Sequence, residues 1–128
     1  MKLLLDTHAY AWWATGDRRL TRAAREGIES PEAVLLVSIV VAWEIANKFR
    51  LGKWPGADAI LANLDEALVA RRLTPLPVTL AHARRAGLLP SDHRDPFDRL
   101  LAAQAELEGA ALVTADPVFR PLGLELLW

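Results

Sequence analysis

The chain has 128 residues, 52% of them hydrophobic and 24% charged, with a formal net charge of −1 at pH 7. That length gives one domain over residues 1–128 with a sizeable core, and the composition excludes a disordered chain. The lack of cysteine excludes disulfides, zinc–thiolate sites and thiol nucleophiles, and agrees with a reducing, cytoplasmic setting. No apolar run approaches the roughly 18 residues of a membrane span, and Asp6 interrupts any signal-peptide layout at the start. The overall charge does not announce a nucleic-acid binder.

KLLL at 2–5 is a continuous apolar run, the pattern of a strand buried on both faces. Thr7 is expected to cap a helix through residue 15, with Gly16 as its stop. A second helix is expected over 21–29, ending before Pro31, and AVLLV at 33–37 reads as a second buried strand. Ser38 is a good cap for a helix over 39–51, closed by Gly52. After the break at Pro55 and Gly56, the apolar spacing of Ile60, Leu61, Leu64, Leu68 and Val69 predicts one helix over 57–72. LTPLPV at 73–78 carries two prolines and is an edge strand at best.

A helix over 79–88 leads into the polar loop PSDHRD. Residues 97–108 are helical, Gly109 stops them, and ALVT at 111–114 is another buried strand. GLELLW closes the chain as a candidate last strand. Strands alternating with helices require crossovers, and so the sequence predicts a three-layer α/β/α sandwich around a mainly parallel sheet.

In such a sheet the functional crevice lies beyond the carboxyl ends of the strands. Asp6 follows the first strand and Asp116 follows ALVT by one residue. Glu44 lies on the helix that begins at Ser38, and Asp95 and Asp98 open the helix feeding the last central strand. Each acid has an ordinary explanation. Asp6 and Asp116 read as turn or cap residues, Glu44 as the partner of Lys48, and Asp95 as an N-cap before Pro96. Collectively, acids delivered to one rim without a matching basic cluster repel one another, and protons or a cation must neutralise them. Oxygen donors with no cysteine favour Mg²⁺ or Mn²⁺ over zinc.

The segments LLLDTHAYAWW, SIVVAWEIANKFRLGKW, LPSDHRDPFDRLLAAQAELEG and LVTADPVF, in that order and spacing, resemble the PIN-domain ribonucleases, in particular the VapC-type toxins of prokaryotic toxin–antitoxin pairs. The combination of HRDPFDRLLAAQA with LVTADPVF carries most of the specificity. The resemblance implies an acidic catalytic and metal site of Asp6, Glu44, Asp98 and Asp116, holding one or two Mg²⁺ or Mn²⁺ ions. It also implies hydrolysis of RNA phosphodiester bonds to 5′-phosphate products, a homodimer, and a small antitoxin partner that covers the site. Asp98 is preferred to Asp95 as the third acid because it directly precedes the apolar run RLLAAQA. Asp95, Thr114 and Ser38 are given supporting roles, Thr114 as the hydroxyl that orients the last acid.

Lys48, Arg50, Lys53, Arg94 and Arg99 lie near this rim in sequence and are candidates to follow the phosphate backbone, although singly each reads as a solvated charge. His8 and His93 read first as loop histidines. Trp12, Trp13 and Trp54 are candidates for protein interfaces, since aromatic residues are enriched there. A phosphotransferase of the haloacid-dehalogenase kind needs a second Asp two residues after the first, where this chain has His8. A receiver domain needs paired acids after its first strand. The remaining competitor is a PIN-like RNA- or protein-binding module without turnover.

Overall fold

The computed structural model describes residues 1–128. Five strands, β1 (Lys2–Leu5), β2 (Val34–Ser38), β3 (Leu73–Leu76), β4 (Ala111–Val113) and β5 (Leu126–Leu127), form one sheet in the order β3-β2-β1-β4-β5, every pairing parallel. Seven helices connect and flank it: α1 (Thr7–Thr15), α2 (Arg22–Glu29), α3 (Ile39–Arg50), α4 (Ala57–Ala62), α5 (Leu64–Ala70), α6 (Leu80–Leu88) and α7 (Pro96–Glu108). A 3-10 turn over Pro117–Leu122 joins β4 to β5. This is the expected α/β arrangement with a parallel sheet. No helix is long and apolar enough to cross a membrane.

Leu3, Leu4 and Leu5 are completely buried because β1 is the central strand, flanked by β2 and β4 and covered on both faces. The chain builds outward from β1 to β3 on one side and then returns to place β4 on the other. The strand order therefore reverses at β1, which opens a crevice beyond the carboxyl ends of β1 and β4. β3 is an edge strand, as its prolines require; Pro75 has no N–H to donate and lies opposite Val37.

Two local expectations are corrected. Asp6, not Thr7, caps α1: its carboxylate accepts the Ala9 N–H at 2.7 Å while its own N–H donates to the Val113 carbonyl at 3.1 Å. A carboxylate one position earlier reaches the N3 amide and leaves the Thr7 hydroxyl free for another partner. The helix expected over 57–72 is two helices, broken at Asn63, whose side-chain amide donates to the Ala59 carbonyl at 2.9 Å. Asparagine competes with the helical ladder in this way, and periodicity alone does not register it.

Arg72 closes α5 with φ 57°, the one non-glycine residue at positive φ. Its side chain is exposed, so nothing in the packing requires arginine there. Arg72→Gly is expected to raise stability by about 0.5–1 kcal/mol by relieving the left-handed backbone. Urea denaturation of the two proteins checks this, and an unchanged or lower midpoint counts against it.

Candidate active site

The carboxyl end of β1 passes directly into α1, and this junction fixes Asp6. The residue belongs to the sheet through its N–H and to the helix through its carboxylate, and it is 8% exposed. Burial pushes its pKa up from the ordinary 3.8, and the nearby Glu44 acts in the same direction. The Thr114 hydroxyl, the Ala9 N–H and His8 oppose the rise.

Glu44 comes from the second turn of α3, which is started by the buried Ser38 through its bond to the Val40 N–H at 3.1 Å. Its carboxylate accepts the Thr7 hydroxyl and pairs with Lys48, one helical turn on, at 3.0 Å. Asp95 caps α7, accepting from the N–H groups of Phe97 at 2.9 Å and Asp98 at 3.4 Å. Asp98, in the first turn, pairs with His93 Nε2 at 2.7 Å. Burial raises the Asp98 pKa; His93 opposes that, and Asp95 and Asp116 add to it. Asp116 caps the 3-10 turn through the Val118 N–H at 3.0 Å. The Thr114 hydroxyl accepts the Asp116 N–H at 3.0 Å and so ties that acid to the end of β4.

These residues meet. Asp6, Glu44, Asp95, Asp98 and Asp116 line a single cleft of about 410 Å³, with His8 and Lys48 as the basic groups in its wall. Thr114 is buried behind it, and Ser38 acts one step removed, as the cap of the helix that carries Glu44. The donor set is entirely oxygen, and burial above all, with a smaller push from neighbouring acids, disfavours the charged forms of Asp6 and Asp98. Both features fit a hard divalent cation. No three of the acidic or imidazole side chains stand close enough to share one ion as they are placed, with Glu44 turned to Thr7 and Lys48 and Asp98 turned to His93. A cation would therefore have to displace those internal partners.

The basic residues divide. Lys48 lies in the cleft, and Lys53 lines a groove adjoining it. Arg94 lines a separate depression with Ser91, Asp92 and His93. Arg99, expected to face substrate, instead donates to the carbonyls of Ala86, Gly87, Leu89, Ser91 and His93 at 2.7–3.3 Å and clamps the loop between α6 and α7. Trp13 is buried in the core under the Arg71 guanidinium, so it is not free for an interface.

Sequence reasoning missed the Thr7–Glu44 bond, which joins residues 37 positions apart and has no local signature. It also missed His82, buried at the start of α6, which takes the Thr79 N–H on Nδ1 and faces Glu108 through Nε2. The pattern Thr-x-x-His at a helix start is the signal that would have found it.

A parallel sheet that reverses its strand order over a cleft walled by carboxylates defines the class: an α/β protein with an acidic site at its switch point. The chain belongs to the PIN domain family, whose model matches residues 3–123. It is 33% identical over 118 residues to Ribonuclease VapC22 of Mycobacterium tuberculosis, covering 89% of this chain and 86% of that one. Its fold is shared with VapBC2 from Rickettsia felis, solved bound to a promoter DNA fragment. There the TM-score is 0.71 at 19% identity, over 98% of this chain and 96% of that one. It is shared also with Mycobacterium tuberculosis VapC20, described as a Sarcin-Ricin loop cleaving toxin. That match has a TM-score of 0.68 at 22% identity, over 95% of each chain.

A carboxyl whose pKa is raised on folding binds its proton more tightly in the native state, so its contribution to stability falls as pH climbs from 3.8 through the native value. Asp6→Asn keeps a capping oxygen and removes the buried charge. It is expected to raise the melting temperature at pH 7, with the gain disappearing near pH 4; a loss at pH 7 counts against the desolvation account. Arg99→Ala removes charged hydrogen bonds from the α6–α7 loop and is expected to cost about 2–3 kcal/mol in urea denaturation. An unchanged midpoint would show that the clamp contributes nothing.

Proposed function

We propose that this chain is an endoribonuclease that hydrolyses RNA phosphodiester bonds at the carboxylate cleft, dependent on Mg²⁺ or Mn²⁺, and that it is the toxin of a toxin–antitoxin pair. The observation that carries the reading is the meeting of Asp6, Glu44, Asp98 and Asp116 in one cleft of a PIN-family chain related to a named ribonuclease. These four would hold the cation, with Asp95 kept to capping and support. A bound divalent cation supplies Lewis-acid polarisation of the phosphoryl oxygen and a lower pKa for water.

This chain's own residues prepare that chemistry. Asp6 is held rigid by its two backbone bonds, Thr114 fixes Asp116, and Thr7 orients Glu44. Lys48 and His93 hold Glu44 and Asp98 as placed; were those acids to hold a cation, the two bases would be released and Lys48 would be free to meet a phosphate. No side-chain nucleophile is required. A homodimer and a protein antitoxin partner accompany this reading, on the strength of the resemblance to VapC-type toxins.

The pairing of Glu44 with Lys48 and of Asp98 with His93 is what favours the second reading, a binding module without turnover. One assay separates the two: labelled RNA incubated with Mg²⁺, Mn²⁺ or excess EDTA. Cleavage is expected with either metal and none with EDTA. Asp116→Asn, on an exposed turn, is expected to lower the rate by roughly a hundredfold or more with the melting temperature unchanged. Full cleavage in EDTA or by Asp116→Asn removes the metal-site assignment, and no cleavage by the wild type removes the nuclease.

A further inference from the structure

Beside the carboxylate cleft lies a second groove of about 440 Å³, lined by His8, Trp12, Arg19, Lys48, Lys53 and Trp54. His8, one turn before Trp12 on α1, meets Trp54 from the loop after α3, and Trp12 packs in turn on Trp128 at 5.7 Å. The His8 and Trp54 rings stack at 5.3 Å and 16°, and His8 and Trp12 lie 5.5 Å apart and tilted. The Arg19 guanidinium sits 4.8 Å over Trp12, and the Lys48 ammonium 5.9 Å from the Trp54 ring. His8 is exposed and both indoles are half-buried, so this aromatic cluster is open to solvent.

The charges of the two cavities are opposite. The cleft is walled by five carboxylates, whereas the groove has three cationic side chains and no carboxylate in its lining; Arg19 pairs with Asp17 at 2.8 Å and Lys48 with Glu44 at 3.0 Å, which leaves Lys53 without an acidic partner. His8, Trp12 and Lys48 belong to both walls, so one polymer can occupy the two in continuity.

We propose that this groove is a subsite for one unpaired nucleotide of RNA next to the bond being cut, a reading that takes its choice of RNA from the function proposed for the cleft. The base stacks on the His8–Trp54–Trp12 cluster and Lys53 faces the adjoining phosphate, while Arg19 and Lys48 meet a phosphate only by leaving Asp17 and Glu44. Aromatic rings interleaved with cations recognise single strands without demanding a sequence, because every base has a π face and every linkage a charge. A base inside a duplex has its faces covered and does not fit. The subsite thus selects for a loop or an end over a helix.

The test is anisotropy of a fluorescein-labelled single-stranded oligouridine and of a duplex RNA of equal length, in EDTA so that neither is cut. His8→Ala and Trp54→Leu are expected to weaken oligouridine binding about tenfold each and to leave duplex binding unchanged. Lys53→Ala is expected to reduce the slope of log K against log salt by about one. Thermal denaturation establishes that Trp54→Leu is folded, and His8→Ala, at an exposed position, serves where it is not. Unchanged oligouridine binding by the folded variants overturns the subsite and leaves the groove to an acidic peptide, and equal losses on duplex overturn it too. A wild type that cuts RNA yet binds no oligouridine refutes the subsite alone. A wild type that binds in this graded way and never cuts refutes the nuclease alone.

Discussion

The carboxylate of Asp6 is the constraint around which the rest of the site is arranged. Its backbone N–H completes the pairing of the central strand with β4, its carbonyl accepts the Tyr10 N–H of α1, and its side chain closes the first turn of that helix. Three structural duties leave it no freedom to swing toward water, and so it is buried with a charge its surroundings disfavour. The neighbouring strand and helix termini then bring Glu44, Asp98 and Asp116 to the same place. A fold that concentrates like charges at its switch point stores an electrostatic tension that a cation or a proton relieves.

The tension is partly met from within. Lys48 and His93 each take one of the acids, and the Thr7 hydroxyl takes the other side of Glu44. These partners are modest by design: a lysine on the same helix and an imidazole on a loop are displaceable, where a bidentate arginine is not. Arg99, next in sequence to Asp98, is occupied with five carbonyls, two in the last turn of α6 and three in the loop that follows it. The strongest available competitor for the carboxylates is thereby kept out of the cleft.

Most of this was legible in the sequence because it follows from local pattern. The apolar runs fixed the central strands, Ser38 and Asp95 announced their helices, and an acid after a parallel strand has only one end of the sheet to occupy. What escaped was set by single hydrogen bonds. The carboxylate of Asp6 outcompetes the hydroxyl of Thr7 for the helix cap, and Asn63 interrupts a helix whose hydrophobic spacing runs on undisturbed. Arg99 and Trp13 were misplaced because charge and aromaticity do not indicate which way a side chain turns. Three of the carbonyls that hold Arg99 belong to a loop with no periodicity to read, and the other two close α6.

The central position of β1 has a further outcome during biosynthesis. β1 is made before β2, β3 and β4, yet one of its two neighbours is β4, and the acid beyond β4 is Asp116. The innermost strand must wait for β4, more than a hundred residues on, before it is flanked on both sides, a strongly non-local closure. A half-made chain therefore lacks the wall that Asp116 supplies. The cleft is whole only once β4 and the Asp116 turn have been made and have docked against β1.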